Sequence, residues 1–108
     1  MVAPSNPPRP RYRGRFAPSP TGPLHLGSLV AALGSWLLAR HNGGDWIVRI
    51  EDIDPPREIA GMAAQQLEAL AAFDMQSDES VLWQSSRDDA YADAIDRLLR
   101  NGSAFACL

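Results

Sequence analysis

The 108-residue chain contains no lysine; all ten of its basic residues are arginine. Genome base composition accounts for such a bias, but it has a chemical consequence. Any step that needs a lysine ammonium must be served from outside this chain. Cysteine is nearly absent too, and Cys107 alone cannot close an internal disulfide, which agrees with a reducing compartment. No run approaches the ~20 apolar residues that cross a bilayer. The N-terminus, with Pro4, Pro7, Pro8 and Pro10 among polar residues, lacks the apolar centre of a signal peptide. These absences point to a cytoplasmic protein without a membrane partner. What is present is 45% apolar residues, enough for a packed core.

The net charge of -3 hides an asymmetry. Residues 1–50 carry six arginines against Asp45 alone, whereas residues 51–108 carry four arginines against twelve carboxylates. The basic half also holds the glycine-rich segment. That is compatible with phosphate or nucleic-acid contact, and equally with a basic tail beside an ordinary acidic surface.

Along the chain, residues 1–11 read as a disordered, proline-rich lead, because proline offers no N–H to helix or ladder. Tyr12 to Ala17 is expected to form a short strand and Pro18 to Pro23 a turn-rich loop. Leu26, Leu29, Val30, Leu33 and Leu37 follow the rhythm of one buried helical face, ending between Arg40 and Asn42 before Gly43 and Gly44. Trp46 to Glu51 reads as a buried strand. Asp54 followed by Pro55 and Pro56 is a helix-start signal, predicting a helix through Ile59, Met62, Ala63, Leu67 and Leu70 to about Phe73. A less regular stretch containing Val81, Leu82 and Trp83 follows. Arg87 to Arg100 then predicts an amphipathic helix on Tyr91, Ile95, Leu98 and Leu99, stopped by Asn101 and Gly102. Ala104 to Cys107 resembles the start of a further strand, with Cys107 buried in it. This alternation is that of an α/β fold with a parallel sheet and right-handed crossover. An unfinished sheet edge at its end argues for part of something larger.

In an open parallel sheet, ligands gather beyond the carboxyl ends of the strands, so the loop after the first strand is where a nucleotide is expected. The helix that follows offers unpaired N–H groups and the positive end of its dipole to phosphate. His25 and Ser28 stand near its start, able to donate to a phosphate, with Gly27 leaving room. Such a layout suits adenylate formation, in which a substrate carboxylate attacks the α-phosphate of ATP, delivered with Mg2+, and the protein supplies alignment and hydrogen-bond donors. Ordinary helix-start and turn chemistry would use the same residue types. The second segment of interest, Arg49-Ile50-Glu51-Asp52-Ile53-Asp54, follows the second strand on the same edge, and alternation places Arg49 and Glu51 on one face. Capping and solvation are the plain alternative for these carboxylates, and nothing in their spacing demands magnesium.

His25-Leu26-Gly27-Ser28 resembles the H-I-G-H signature of class I aminoacyl-tRNA synthetases, and the run from Arg15 to Ser28 resembles the longer glutamyl form, R-F-A-P-S-P-T-G-x-L-H-x-G. The resemblance covers about residues 13–107. It implies a Rossmann-like catalytic domain of which residues 12–108 are the N-terminal part, with ATP at His25, Gly27 and Ser28, and His25 and Ser28 serving catalysis. It implies a glutamate pocket lined by Arg15, Phe16, Ala17, Pro18 and Ser19, with Arg15 on the substrate carboxylate and Glu51 on its ammonium. A guanidinium suits that carboxylate, since charge-assisted bonds are worth ~1.5–3 kcal/mol each, whereas glutamine offers one acceptor and an amide that is repelled.

Within the glutamyl branch, E-D-I-D-P-P-R-E at Glu51–Glu58 and the run Gly27–Ser35 resemble the synthetases that modify the queuosine base of tRNA(Asp), more than those that charge tRNA(Glu) or tRNA(Gln). The implied protein is a monomer that activates L-glutamate with ATP and transfers it to tRNA(Asp). The alternatives are an ordinary glutamyl-tRNA synthetase, and a truncated paralogue that binds nucleotide or tRNA without turnover. The family's lysine-bearing K-M-S-K-S loop is absent here. Its zinc site would take Cys107 as first ligand, but one thiolate does not make a tetrahedral Zn2+ site, so zinc belongs at most to a longer protein.

Overall fold

Arg13–Phe16 forms strand β1, and the chain returns through helix α1, Leu26–His41, to strand β2, Asp45–Ile50. The computed structural model describes residues 7–107. The expected lead therefore lies outside the described residues over positions 1–6, and residues 7–12 carry no regular structure. β1 and β2 are parallel, with Arg13 opposite Asp45 and Phe16 opposite Val48. The turn between α1 and β2 depends on Gly44, where an added Cβ would lie 2.1 Å from the Tyr12 carbonyl oxygen. That approach lets the Asp45 N–H donate to the same carbonyl at 3.0 Å and start the ladder.

The core lies on one face of the sheet. Trp46, Val48 and Ile50 are fully buried while Asp45, Ile47 and Arg49 are half-buried, the two-residue alternation of a strand covered on one side. Each large apolar side chain so buried contributes about 1.5–3 kcal/mol. The Trp46 ring stacks on Phe16 with centroids 6.4 Å apart, and its indole N–H donates to Ser35 Oγ at 2.9 Å.

α1 meets this face differently from the expectation. Its buried residues are Ala32 and Ala39, whereas Leu26 is 77% exposed and Val30, Leu33 and Leu37 also face outward. The reason is closeness: a Cβ on Gly14 of β1 would stand 3.1 Å from the Ser35 carbonyl oxygen and 3.3 Å from Ala39 Cβ. Only small side chains fit a helix that near to a strand. The bulky stripe is left on the far side.

The second crossover also departs from the sequence reading. Pro55–Arg57 is one 3-10 turn, and helix α2 runs Met62–Ala72, starting after Gly61 in a left-handed conformation. Asp54 does not cap a helix through its side chain; it pairs with Arg57 three residues on. The two prolines suit a helix start, and Arg57 and Glu58 N–H close the turn, but Glu58 then takes an extended conformation that ends it. α2 buries Met62, Gln66 and Leu70, and Leu70 and Met75 join the core of Trp46, Val48 and Ile50.

Strand β3, Leu82–Trp83, pairs parallel with β2, Arg49 opposite Leu82, giving a sheet ordered β1, β2, β3. The third strand thus falls in the stretch expected to be irregular, because two residues are too few to show a period. Helix α3, Asp88–Arg100, forms where expected, with its C-cap at Asn101. None of its residues is buried. No strand follows: residues 104–107 carry no regular structure, and Cys107 is exposed rather than buried in a strand. Among the described residues, no helix is long and apolar enough to cross a membrane.

Candidate functional site

The loop after β1 is poor in backbone donors because Pro18, Pro20 and Pro23 have no N–H. Its one internal backbone bond runs from Thr21 N–H to the Ser19 carbonyl, 2.8 Å. It is held mainly from elsewhere. Glu51 N–H donates to the Pro18 carbonyl at 2.9 Å and Ile59 N–H to the Pro20 carbonyl at 3.0 Å. The first of these ties the end of β2 to the end of β1, bringing the two sequence signatures to one sheet edge.

A side chain supplies the remaining support. Gln66, buried in α2, donates through Nε2 to the Ser19 carbonyl at 3.0 Å and to the Gly22 carbonyl at 2.7 Å. Its Oε1 is buried with no partner. A buried acceptor left without a donor costs about 1–3 kcal/mol.

Where the loop enters α1, His25 is the N-cap residue. Its Nδ1 accepts the Ser28 N–H at 3.3 Å, satisfying one of the helix's unpaired donors. A nitrogen that accepts carries no proton, so in the neutral ring Nε2 is the donor. Gly27 serves this arrangement. A Cβ there would press on the imidazole at 3.0 Å from Cε1 and 3.1 Å from Nδ1, so the room it leaves is first of all for His25.

These residues surround a cavity of about 380 Å³, lined by Phe16, Ala17, Pro18 and Ser19, by Thr21 to His25, and by Ser28 and Gln66. Six of the residues singled out from sequence meet there: Phe16, Ala17, Pro18, Ser19, His25 and Ser28. Four do not line it: Arg15, Gly27, Glu51 and Cys107. Arg15 projects from β1 as an exposed residue and makes no salt bridge among the described residues, leaving its guanidinium fork free. Glu51 is half-buried and binds Arg49 through Oε1 at 2.7 Å. Gln66 was not singled out from sequence. It sits four residues after Met62 and four before Leu70, so a polar residue on the buried stripe of α2 was the available signal.

Just past β2, Asp52 accepts from the Ser85 N–H at 2.9 Å and from its hydroxyl, joining the end of that strand to the turn after β3. Burial pushes the Asp52 carboxyl up, but the Ser85 hydrogen bonds outweigh it and hold it below the usual aspartate value. Cys107 is exposed, and among the described residues no cluster of three or more His, Cys, Asp or Glu side chains could hold a metal ion. These residues do not by themselves provide a zinc site.

A parallel sheet with a cavity at its carboxyl edge, walled by a proline- and glycine-rich loop and by the N-terminus of the next helix, is an α/β architecture of the kind in which ligands gather at that edge. Residues 11–108 match the family described as tRNA synthetases class I (E and Q), catalytic domain, and the chain belongs to that family. It is 69% identical over 96 residues to the Glutamyl-Q tRNA(Asp) synthetase of Xanthomonas campestris pv. campestris (strain 8004), a match covering 89% of this chain and 32% of that protein. The Glutamyl-Q tRNA(Asp) synthetase of Burkholderia cenocepacia (strain J2315) is 59% identical over 98 residues, covering 91% of this chain and 33% of that protein. Among solved structures, a glutamate tRNA ligase from Elizabethkingia meningosepticum, crystallised in complex with its amino acid, superposes with a TM-score of 0.80 at 43% identity, covering 84% of this chain and 20% of that one. The chain spans about a third of the length of the curated relatives it matches.

Proposed function

We propose that this chain forms the nucleotide and glutamate side of a synthetase that joins glutamate to ATP as glutamyl-adenylate and passes it to the queuosine base of tRNA(Asp). The observation that carries the reading is the cavity at the sheet edge, which is lined by ten residues of the signature run, the N-cap His25 among them. In that reading, Nε2 of His25, Ser28 Oγ and the first N–H groups of α1 donate to the phosphates of ATP, stabilising charge as it grows on the phosphate oxygens. The glutamate α-carboxylate attacks the α-phosphorus, the bond to the bridging oxygen breaks, and pyrophosphate leaves. Arg15, free of any carboxylate among the described residues, receives the side-chain carboxylate of glutamate.

Glu51 holds the substrate ammonium, and Arg49 keeps one of its oxygens in place meanwhile. Mg2+ accompanies ATP as part of the substrate. Zinc, if a longer protein holds it, takes Cys107 together with ligands outside this chain. We assign the protein to the cytoplasm, as a monomer in which residues 12–108 are the first part of the catalytic domain. Modification is preferred over tRNA charging because identity to the proteins named for the former reaches 69%, against 43% for a structurally matched glutamate tRNA ligase.

The test is glutamate-dependent exchange of pyrophosphate into ATP by the full-length protein without tRNA, followed by transfer of labelled glutamate to queuosine-containing tRNA(Asp). Exchange without transfer points to tRNA charging; no exchange at all removes the reading. Arg15→Ala should reduce glutamate kcat/KM at least a hundredfold, in keeping with the loss of two charge-assisted bonds at ~1.5–3 kcal/mol each. Wild-type use of glutamate by that variant would remove Arg15 from the pocket.

A further inference from the structure

We propose that Gln66 is a positioning residue whose buried amide fixes the loop walling the nucleotide cavity, so that its removal is felt in ATP affinity rather than in folding. The inference rests on the function proposed above. Gln66 is 2% exposed and lies 47 residues from Ser19 and 44 from Gly22, yet its Nε2 bonds both carbonyls. Among the described residues it is the one side chain that donates to this loop. The need for a donor is set by the sequence, because three prolines leave the loop few N–H groups of its own.

The other donors reaching the loop are backbone groups of Glu51 and Ile59, which bind the Pro18 and Pro20 carbonyls. Ser19 keeps the Thr21 N–H if Gln66 is removed, but among the described residues the Gly22 carbonyl has no other donor. Gly22 leads directly through Pro23 and Leu24 to His25, so its carbonyl is the point at which the loop is anchored before the N-cap. Packing alone does not explain the choice of residue. An apolar side chain would fill the same place between Met62 and Leu70 without burying Oε1 unpaired.

The experiment measures the full-length protein carrying Gln66→Met, which keeps length and volume but cannot donate, and Gln66→Glu, which turns a carboxylate toward two carbonyl oxygens. For Gln66→Met we expect the KM for ATP in glutamate-dependent exchange to rise about tenfold with kcat within about twofold, because a misplaced wall weakens ligand alignment, and the KM for glutamate to rise by a smaller factor, because Ser19 belongs to its pocket as well. Its melting temperature should stay within a few degrees of wild type. Gln66→Glu should raise the ATP KM further.

An unchanged ATP KM in Gln66→Met overturns the proposal. So does a rise that follows the loss of melting temperature across the variants, since Gln66 would then be a packing residue. Should Gln66→Met not fold, Gln66→Asn, which keeps the amide but is one methylene too short to span both carbonyls, is measured in the same way, and a wild-type ATP KM there is equally decisive. If the wild-type protein shows no exchange, the function reading fails by itself. Gln66 is then judged by equilibrium ATP binding, where the same tenfold loss is expected and equal affinity overturns it.

Discussion

The loop Pro18–Pro23 and helix α3 are supported in opposite ways. The loop makes almost no hydrogen bonds of its own, yet four of its carbonyls accept from Glu51, Ile59, Thr21 and Gln66, and Pro18 and Pro20 are buried. α3 satisfies its own backbone over Asp88–Arg100 and buries no residue. Irregular backbone is therefore the better fixed of the two, because its order comes from donors far away in sequence. Local regularity in α3 does not bring packing with it.

The strongest way to break this contrast is to remove the frame beneath the loop. Trp46 is fully buried, stacks on Phe16 at the mouth of the loop, and ties β2 to α1 through Ser35. Trp46→Ala should destabilise the chain by about 3–5 kcal/mol, the range for a buried aromatic truncated to alanine. Urea unfolding followed by circular dichroism measures this. A loss under about 1 kcal/mol would mean that the sheet does not carry the loop, and the comparison would have to be drawn differently.

How far the sequence revealed this arrangement depends on whether the determining contact was local. The α/β class, the first two strands and α3 were legible because periodicity and stop signals act over a few residues. Of the signature run, Phe16 to Ser19, His25 and Ser28 line one cavity, whereas Arg15 and Gly27 do not. What failed was decided across the fold. The leucine stripe of α1 lost the sheet to Ala32 and Ala39 because Gly14, on another element, brings the helix so near. β3 owes its existence to pairing with Arg49 and Ile50, which two residues cannot announce. Asp54 is the local exception: it had the marks of a cap and instead pairs with Arg57, three residues on. Gln66 carried a local signal, a polar residue on a buried stripe, but its meaning lay in carbonyls more than forty positions earlier.

A smaller effect is expected from acid. Asp78 accepts from the Arg40 guanidinium at 2.6 and 2.9 Å and from the Trp46 N–H at 2.7 Å, so it ties the segment after α2 to both α1 and β2. The Arg40 hydrogen bonds, then the Trp46 N–H, hold its carboxyl below the usual aspartate value, against the opposing pull of burial. A carboxyl whose folded value is depressed binds fewer protons when folded than when unfolded. Its stabilisation is thus present above the unfolded value of about 4 and fades as pH falls through the lower folded one. Asp52, lowered by Ser85, has the same sign. Stability should be level near neutrality and decline below about pH 4, and Asp78→Asn should flatten the decline. Urea midpoints across pH 3 to 7 read this out; an unchanged acid slope in Asp78→Asn would show that the pair with Arg40 contributes nothing.

The smallest effect belongs to α3, and it tests the other half of the contrast. Tyr91 is half-buried, while Ile95, Leu98 and Leu99 lie exposed along the apolar side of this helix, with Ile95 at 56%. A side chain that water already reaches has little to lose by becoming polar, so Ile95→Gln in the 108-residue chain should change stability by no more than about 0.5 kcal/mol. Its direction is informative as well, since glutamine is the better helix former and nothing packed opposes it. The same substitution in the full-length protein separates two situations. If the cost there exceeds that in the isolated chain, the remaining two thirds of the relatives' length contains what the helix packs on. If the two costs agree, α3 is a surface helix in both, and the burial that orders this protein ends with the residues that build the loop.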